Sequence, residues 1–107
     1  MRFFLISDNI DTQIGLRLAG IKGVVVHEKS EVLKVLEEVL KDNSIGILLM
    51  TQKIAELVPD KVQEIKLSRV LPLLFIIPDR HGWRGDKNFI TRYVEEAIGV
   101  RLDGGKG

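Results

Sequence analysis

Ile45-Gly46-Ile47-Leu48-Leu49-Met50-Thr51-Gln52-Lys53-Ile54-Ala55-Glu56 sets the architecture of the chain. Its first six residues form an unbroken apolar run with no polar alternation, so both faces of the extended chain must be covered. A central strand of a parallel sheet has that pattern. At Thr51 the chemistry changes. A hydroxyl able to cap the first free amides of a helix precedes Ile54, Leu57 and Val58 at helical spacing. The strand's carboxyl end therefore opens at Met50-Thr51, and in an open parallel sheet that end is where ligands bind. Here it carries no acid, no histidine and no glycine-rich loop.

Toward the amino terminus, Phe3-Phe4-Leu5-Ile6 is a second apolar run, ended by Ser7-Asp8-Asn9. Asp8 or Asn9 is the expected cap of the following helix. Ile10, Ile14, Leu18 and Ile21 recur at spacings of four, four and three, which predicts one apolar stripe turned to the sheet. Gly15 and Ala19, beside that stripe, allow close approach to a neighbour, although a helical glycine costs about 1 kcal/mol of propensity. Gly20 and Gly23 stop the helix, and Val24-Val25-Val26 is a short β-branched strand. Ser30 is the expected cap of the next helix, with Glu31 in its first turn; Val32, Leu36, Val39 and Leu40 are its buried side, widened by Leu33 and Val35.

Beyond the central stretch, Pro59 predicts a helix break near Val58 and the start of a second helical piece, with Asp60 in its first turn and Val62, Ile65 and Leu67 continuing the apolar side. Val70 to Ile77 reads as the fourth strand. Pro72 within it removes a ladder donor, so this strand lies at the edge or pairs only after Pro72. Pro78 to Asp86 is a polar loop. Asp86 caps a last helix carrying Phe89, Ile90, Tyr93, Val94, Ala97 and Ile98, with Arg92, Glu95 and Glu96 facing out, and Gly99 ends it before Val100-Arg101-Leu102. Strands alternating with helices predict a small doubly wound, receiver-like α/β fold. It has a four-stranded parallel sheet in the order 2-1-3-4, helices on both faces, and a C-terminal helix and tail.

The chain has 107 residues, which predicts a single domain, 1–107, with 86–102 as a C-terminal helix and docking segment. Lys and Arg (16) nearly balance Asp and Glu (15), so no net field draws the chain to nucleic acid or an anionic membrane. Cysteine is absent, which excludes disulfides, thiolate metal sites and thiol catalysis. No apolar run approaches the roughly 20 residues of a spanning helix, and Met1-Arg2-Phe3-Phe4 enters a strand rather than a signal sequence, so a cytoplasmic location is expected.

Few residues of the sequence are placed for chemistry. A receiver-type phosphoacceptor needs clustered carboxylates and a magnesium ion at the strand ends. Asp8 and Asp11 supply half of that cluster, but Met50-Thr51 stands at the acceptor's place and Pro78 where a lysine is needed. The turn from Ser7 to Thr12 has no glycine and two acids, the reverse of a phosphate cradle. Gly104-Gly105-Lys106 has no helix after it. His27-Glu28 reads as a surface pair, and His81, with Asp79 and Arg80, as part of a solvated loop. Ser7 and Ser44 have no histidine placed as base. No catalytic residue, cofactor or metal site is expected. What remains is surface. Trp83 sits between Arg80 and Arg84, residue types enriched at binding hot spots, and either makes a contact or folds back on the last helix. Val100 and Leu102 beyond Gly99 read as a docking tail or as a contact onto their own helix.

The chain resembles the F subunit of the V-type and A-type rotary ATPases and ATP synthases over nearly its whole length. The likeness rests on Asp8 with Thr12, then Gly15 and Leu18-Ala19-Gly20-Ile21; on the stretch from Ile45 to Glu56; on Leu71-Pro72 leading to Ile77-Pro78; and on Arg92, Val94 and Ile98-Gly99. Ser7 departs from the family, which commonly has glycine there. The resemblance implies a non-catalytic component of the central rotor stalk, peripheral to the membrane in the soluble sector. It would bind the long two-helix stalk component, the D subunit, and reach the catalytic A and B subunits through a mobile C-terminal segment. The expected contact residues are Trp83, Arg92, Tyr93, Ile98, Val100 and Leu102. The alternative is a free-standing receiver-like signalling or small-ligand module; a homo-oligomeric scaffold is a third reading.

Overall fold

The computed structural model of the chain describes residues 2–68 and 71–78, together with 92, 95, 96 and 99. The elements are β1 (Arg2–Ser7), α1 (Ile10–Leu18), β2 (Lys22–Val25), α2 (Lys29–Lys41), β3 (Ile45–Thr51), α3 (Gln52–Leu57), α4 (Pro59–Ser68) and β4 (Leu73–Ile77). The strands pair in parallel in the order β2-β1-β3-β4, as the apolar runs predict. All seven residues of β3 are buried, because strands flank it on both edges and helices pack on both faces.

Alternation along β1 and β3 deals side chains to two cores. Ile6, Leu48 and Met50 join Val32, Leu36 and Val39 of α2, Ile54 of α3 and Ile65 of α4. Leu5, Ile47 and Leu49 join Leu16 of α1, Ile21 and Ile77. One face of the sheet therefore carries three of the described helices and the other carries α1.

Proline does its expected work twice. The helix after β3 ends at Leu57, Val58 leaves helical backbone with φ −134°, and Pro59 opens α4. Likewise β4 begins at Leu73, just past Pro72, and lies at the sheet edge. At Leu67 the pattern misleads: that side chain is 79% exposed, and Ile65 alone of the three predicted positions is fully buried.

The first helix departs from expectation more deeply. Ile10, Ile14 and Leu18 are 54%, 38% and 75% exposed, while Thr12, Gly15 and Leu16 face the sheet. A stripe ranked by side-chain size puts the isoleucines inside. The helix instead turns Leu16 into the core, flanked by the smaller Thr12 and Gly15, and only Ile21 of the predicted stripe is buried.

Caps and strand limits also differ in detail. Of the two residues expected to cap α1, Asn9 does so, its Oδ1 accepting the Thr12 amide at 2.7 Å, as the sequence allows. The second helix starts at Lys29 rather than after Ser30, with Glu28 at the cap position. The Glu31 carboxylate reaches back to accept the amides of His27 and Glu28, each at 3.0 Å, and these bonds hold its pKa below the ordinary glutamate value. The second strand runs from Lys22 to Val25, so Gly23 lies inside it opposite Leu5 rather than stopping the helix; Gly20, at φ +93°, is the residue in left-handed backbone that ends α1.

The start of β1 is latched to the α2–β3 loop. The Arg2 amide donates to the Ser44 carbonyl at 2.7 Å, Arg2 Nε donates to Ser44 Oγ at 2.8 Å, and the Arg2 guanidinium pairs with the Asp42 carboxylate. Asp42 Oδ1 also accepts the Ser44 hydroxyl at 2.6 Å and the Ser44 amide at 2.9 Å. Those Ser44 bonds first, and Arg2 second, hold the Asp42 carboxyl below its ordinary value. A depressed carboxyl contributes stability above its unfolded-state pKa and loses it as pH falls through the lower folded-state value. Thermal melts taken downward from pH 5 are thus expected to show Asp42→Asn losing less stability than the parent below about pH 4, the ordinary aspartate range. Parallel losses in the two proteins would remove Asp42 from the acid response.

Candidate interaction surfaces

At the carboxyl edge of the sheet, the polar side chains are used to close turns. Ser7 is fully buried; its hydroxyl donates to the Asn9 carbonyl at 2.8 Å and accepts the Asn9 amide at 3.0 Å. Thr51 holds the cap position of α3, yet its hydroxyl does not cap that helix. It accepts the Asp8 amide at 3.2 Å, tying the end of β3 to the turn after β1. The acceptor position of a receiver is thus taken by a buried hydroxyl already engaged with the neighbouring backbone. Among the described residues no three His, Cys, Asp or Glu side chains gather as metal ligands.

The feature that sequence reasoning missed is the ridge on α1. Ile10, Ile14 and Leu18 lie at i, i+4 and i+8, so they share one helix face over about 12 Å at 1.5 Å per residue. On the same side of the sheet Leu73 is 49% exposed, while Phe3 and Phe75 are half-buried. Single exposed apolar side chains are ordinary on a protein surface; several in line on one helix mark a contact surface. The signal that could have found the ridge was Leu16, which shares a helix face with Thr12 and Gly15 and lies off the Ile10-Ile14-Leu18 stripe.

Of the expected contact residues, Arg92 is exposed in helical backbone, with Glu96 exposed and Glu95 half-buried near it. Gly99 takes φ +74° and donates its amide to the Glu95 carbonyl at 2.7 Å, the helix-ending geometry expected of it. Trp83, Tyr93, Ile98, Val100 and Leu102 lie outside the described residues, as does most of the segment 86–102. No described helix is long and apolar enough to cross a membrane.

A receiver-like sheet whose carboxyl edge is closed by its own hydroxyls, with an apolar ridge left open on α1, defines a small α/β module with a candidate contact face. Comparison with known proteins gives its family. Residues 4–94 match the ATP synthase (F/14-kDa) subunit family, and the chain belongs to that family. It is 30% identical to the F subunit of the A-type ATP synthase of Methanocaldococcus jannaschii over 103 residues, covering 95% of this chain and 99% of that protein. Against the A-type ATP synthase F subunit of Thermococcus onnurineus the identity is 33%, covering 95% and 98% of the two chains. The crystal structure of the V-type ATP synthase F subunit from Archaeoglobus fulgidus superposes with a TM-score of 0.60 at 27% identity, covering 71% of this chain and 95% of that one.

Proposed function

We propose that this chain is a non-catalytic component of the central rotor stalk of a V-type or A-type ATPase or ATP synthase. It binds the long two-helix D subunit of the stalk, turns with it, and couples or regulates ATP turnover with ion transport. The observation that carries this reading is the α1 ridge: three large apolar side chains in line, left in water while Thr12, Gly15 and Leu16 are buried. A rotor accessory must not slip on its shaft, and an apolar ridge seated in the groove of a partner helix resists slip better than exposed charges do.

The C-terminal segment supplies a second contact in this proposal. Trp83, Arg92, Tyr93, Ile98, Val100 and Leu102 are the proposed contact residues for the shaft or the catalytic A and B subunits. The chain works at the cytoplasmic face, peripheral to the membrane in the soluble sector.

The ridge is tested with Ile14→Gln and Leu18→Lys, which keep good helix formers at both positions and put a cation near the helix carboxyl end, where it is favourable. Both side chains are exposed, so stability should change by no more than about 0.5 kcal/mol. Affinity for the two-helix stalk protein, measured by titration calorimetry, should fall by roughly tenfold or more in the double variant, the range of an interface hot spot. Unchanged affinity would remove the ridge from the contact.

A further inference from the structure

On the opposite side of the sheet from the α1 ridge, the outer surface of α2 and the neighbouring α4 form a groove of about 550 Å³. Leu33, Leu36 and Leu40 make its apolar floor; Lys34, Glu37 and Lys41 from α2 and Lys61 from α4 make its rim. Leu33 is 36% exposed and Leu40 half-buried, although both lie beside the fully buried Leu36. Three cations thus face one carboxylate around an apolar floor. Among the described residues Lys34 and Lys41 have no ion-pair partner. Lys61 meets Glu64 at 3.5 Å across one turn of its own helix, both side chains largely in solvent, a contact of little strength.

The spacing of the cations says what fits. Lys34 and Lys41 are seven residues apart, two helical turns, or about 10 Å along α2. A small anion cannot meet both. A membrane surface would need a denser cluster, about four to eight basic residues, without a carboxylate among them. A nucleic acid would leave the leucine floor uncovered and meet Glu37. An amphipathic helix satisfies all parts at once: apolar side chains at i and i+4 rest on Leu33 and Leu40, and flanking carboxylates reach the lysines, whose aliphatic stems extend the apolar walls.

We infer that the α2–α4 groove docks an acidic amphipathic helix from another component of the assembly, separate from the α1 contact. This rests on the reading of the chain as part of a rotary complex. Charge complementarity of this kind acts mainly on encounter rate and specificity, so the contact should weaken with ionic strength.

The test places a benzophenone side chain at Leu33 in the full chain, assembles it with the soluble sector of the rotary ATPase of the same cell, and identifies photo-crosslinked peptides by mass spectrometry. The expected product is a helix of another component carrying Asp or Glu beside apolar residues four apart. Its yield should fall about tenfold with Lys34→Glu and Lys41→Glu together, the size of a lost interfacial charge pair, and should also fall as salt is raised. A chain that enters the assembly but gives no crosslink, or crosslinks to a basic segment, a second copy or lipid, overturns the groove proposal alone. A chain that does not enter the assembly overturns the rotor reading and this inference with it.

Discussion

Leu48→Ala is expected to cost roughly 2–5 kcal/mol of folding stability, the range for truncating a buried leucine in a core that relaxes only partly. Leu48 is 0% exposed, sits at the middle of β3, and packs against the core shared by α2, α3 and α4. Strands pair with β3 on both edges, so the backbone cannot close on the space left behind. A protein of this size has about 5–15 kcal/mol in all, so the variant should lose a large fraction of it. Chemical denaturation should show the midpoint falling with little change of slope. A loss below about 1 kcal/mol would mean that the site collapses around the gap, and that β3 is not a rigid centre of the fold.

Gly23→Ala is expected to destabilise by roughly 1–3 kcal/mol, toward the upper end, through overpacking rather than through a cavity. Gly23 lies opposite Leu5 in the β1–β2 ladder. A β-carbon added there would stand 2.7 Å from both the Leu5 β-carbon and the Leu5 carbonyl oxygen. Part of that clash is with backbone, so no rotamer change relieves it, and β2 would have to move away from β1. The same substitution at Gly20 meets no atom within 4 Å, but the residue sits at φ +93°, so its cost is confined to left-handed backbone strain. Thermal melts establish the size of each loss, and hydrogen exchange separates the causes: Gly23→Ala should also loosen protection of the β1–β2 amides, whereas Gly20→Ala should not. Equal protection in both would place the strain elsewhere.

Much of the architecture was legible because it depends on patterns that burial enforces. Seven buried residues in β3 can only be a central strand, and the polar ends of each apolar run set the order of elements. Pro59 and Pro72 act through missing amides, a local effect that needs no knowledge of the partner strand. The face presented by α1 was not legible in the same way. Spacing finds a stripe but not which stripe goes inward. The inward face is the one that carries Leu16 with Thr12 and Gly15, and the more numerous large side chains of Ile10, Ile14 and Leu18 are left outside. Caps escape for a related reason. Ser30 is a better capping type than Glu28, yet the helix begins where Glu31 can gather two free amides, a reciprocal geometry that single-residue preference does not see. Thr51 has a capping side chain but spends it as a tie between β3 and the turn after β1. As for the interaction surface, Arg92 could be anticipated as exposed from its place opposite the apolar side of the last helix. The ridge on α1 could not, because its residues have the size and spacing of core.

A rotor accessory without catalysis of its own, as proposed for this chain, must hold the shaft protein through purification. The unaltered chain and the two-helix stalk protein of the same cell are mixed, passed over a sizing column, and the eluted pair is assayed for ATP hydrolysis. The expected result is a stable one-to-one complex that does not turn over ATP. A folded, monomeric chain that elutes apart from the stalk protein, or ATP hydrolysis that follows this chain through the column, would contradict it.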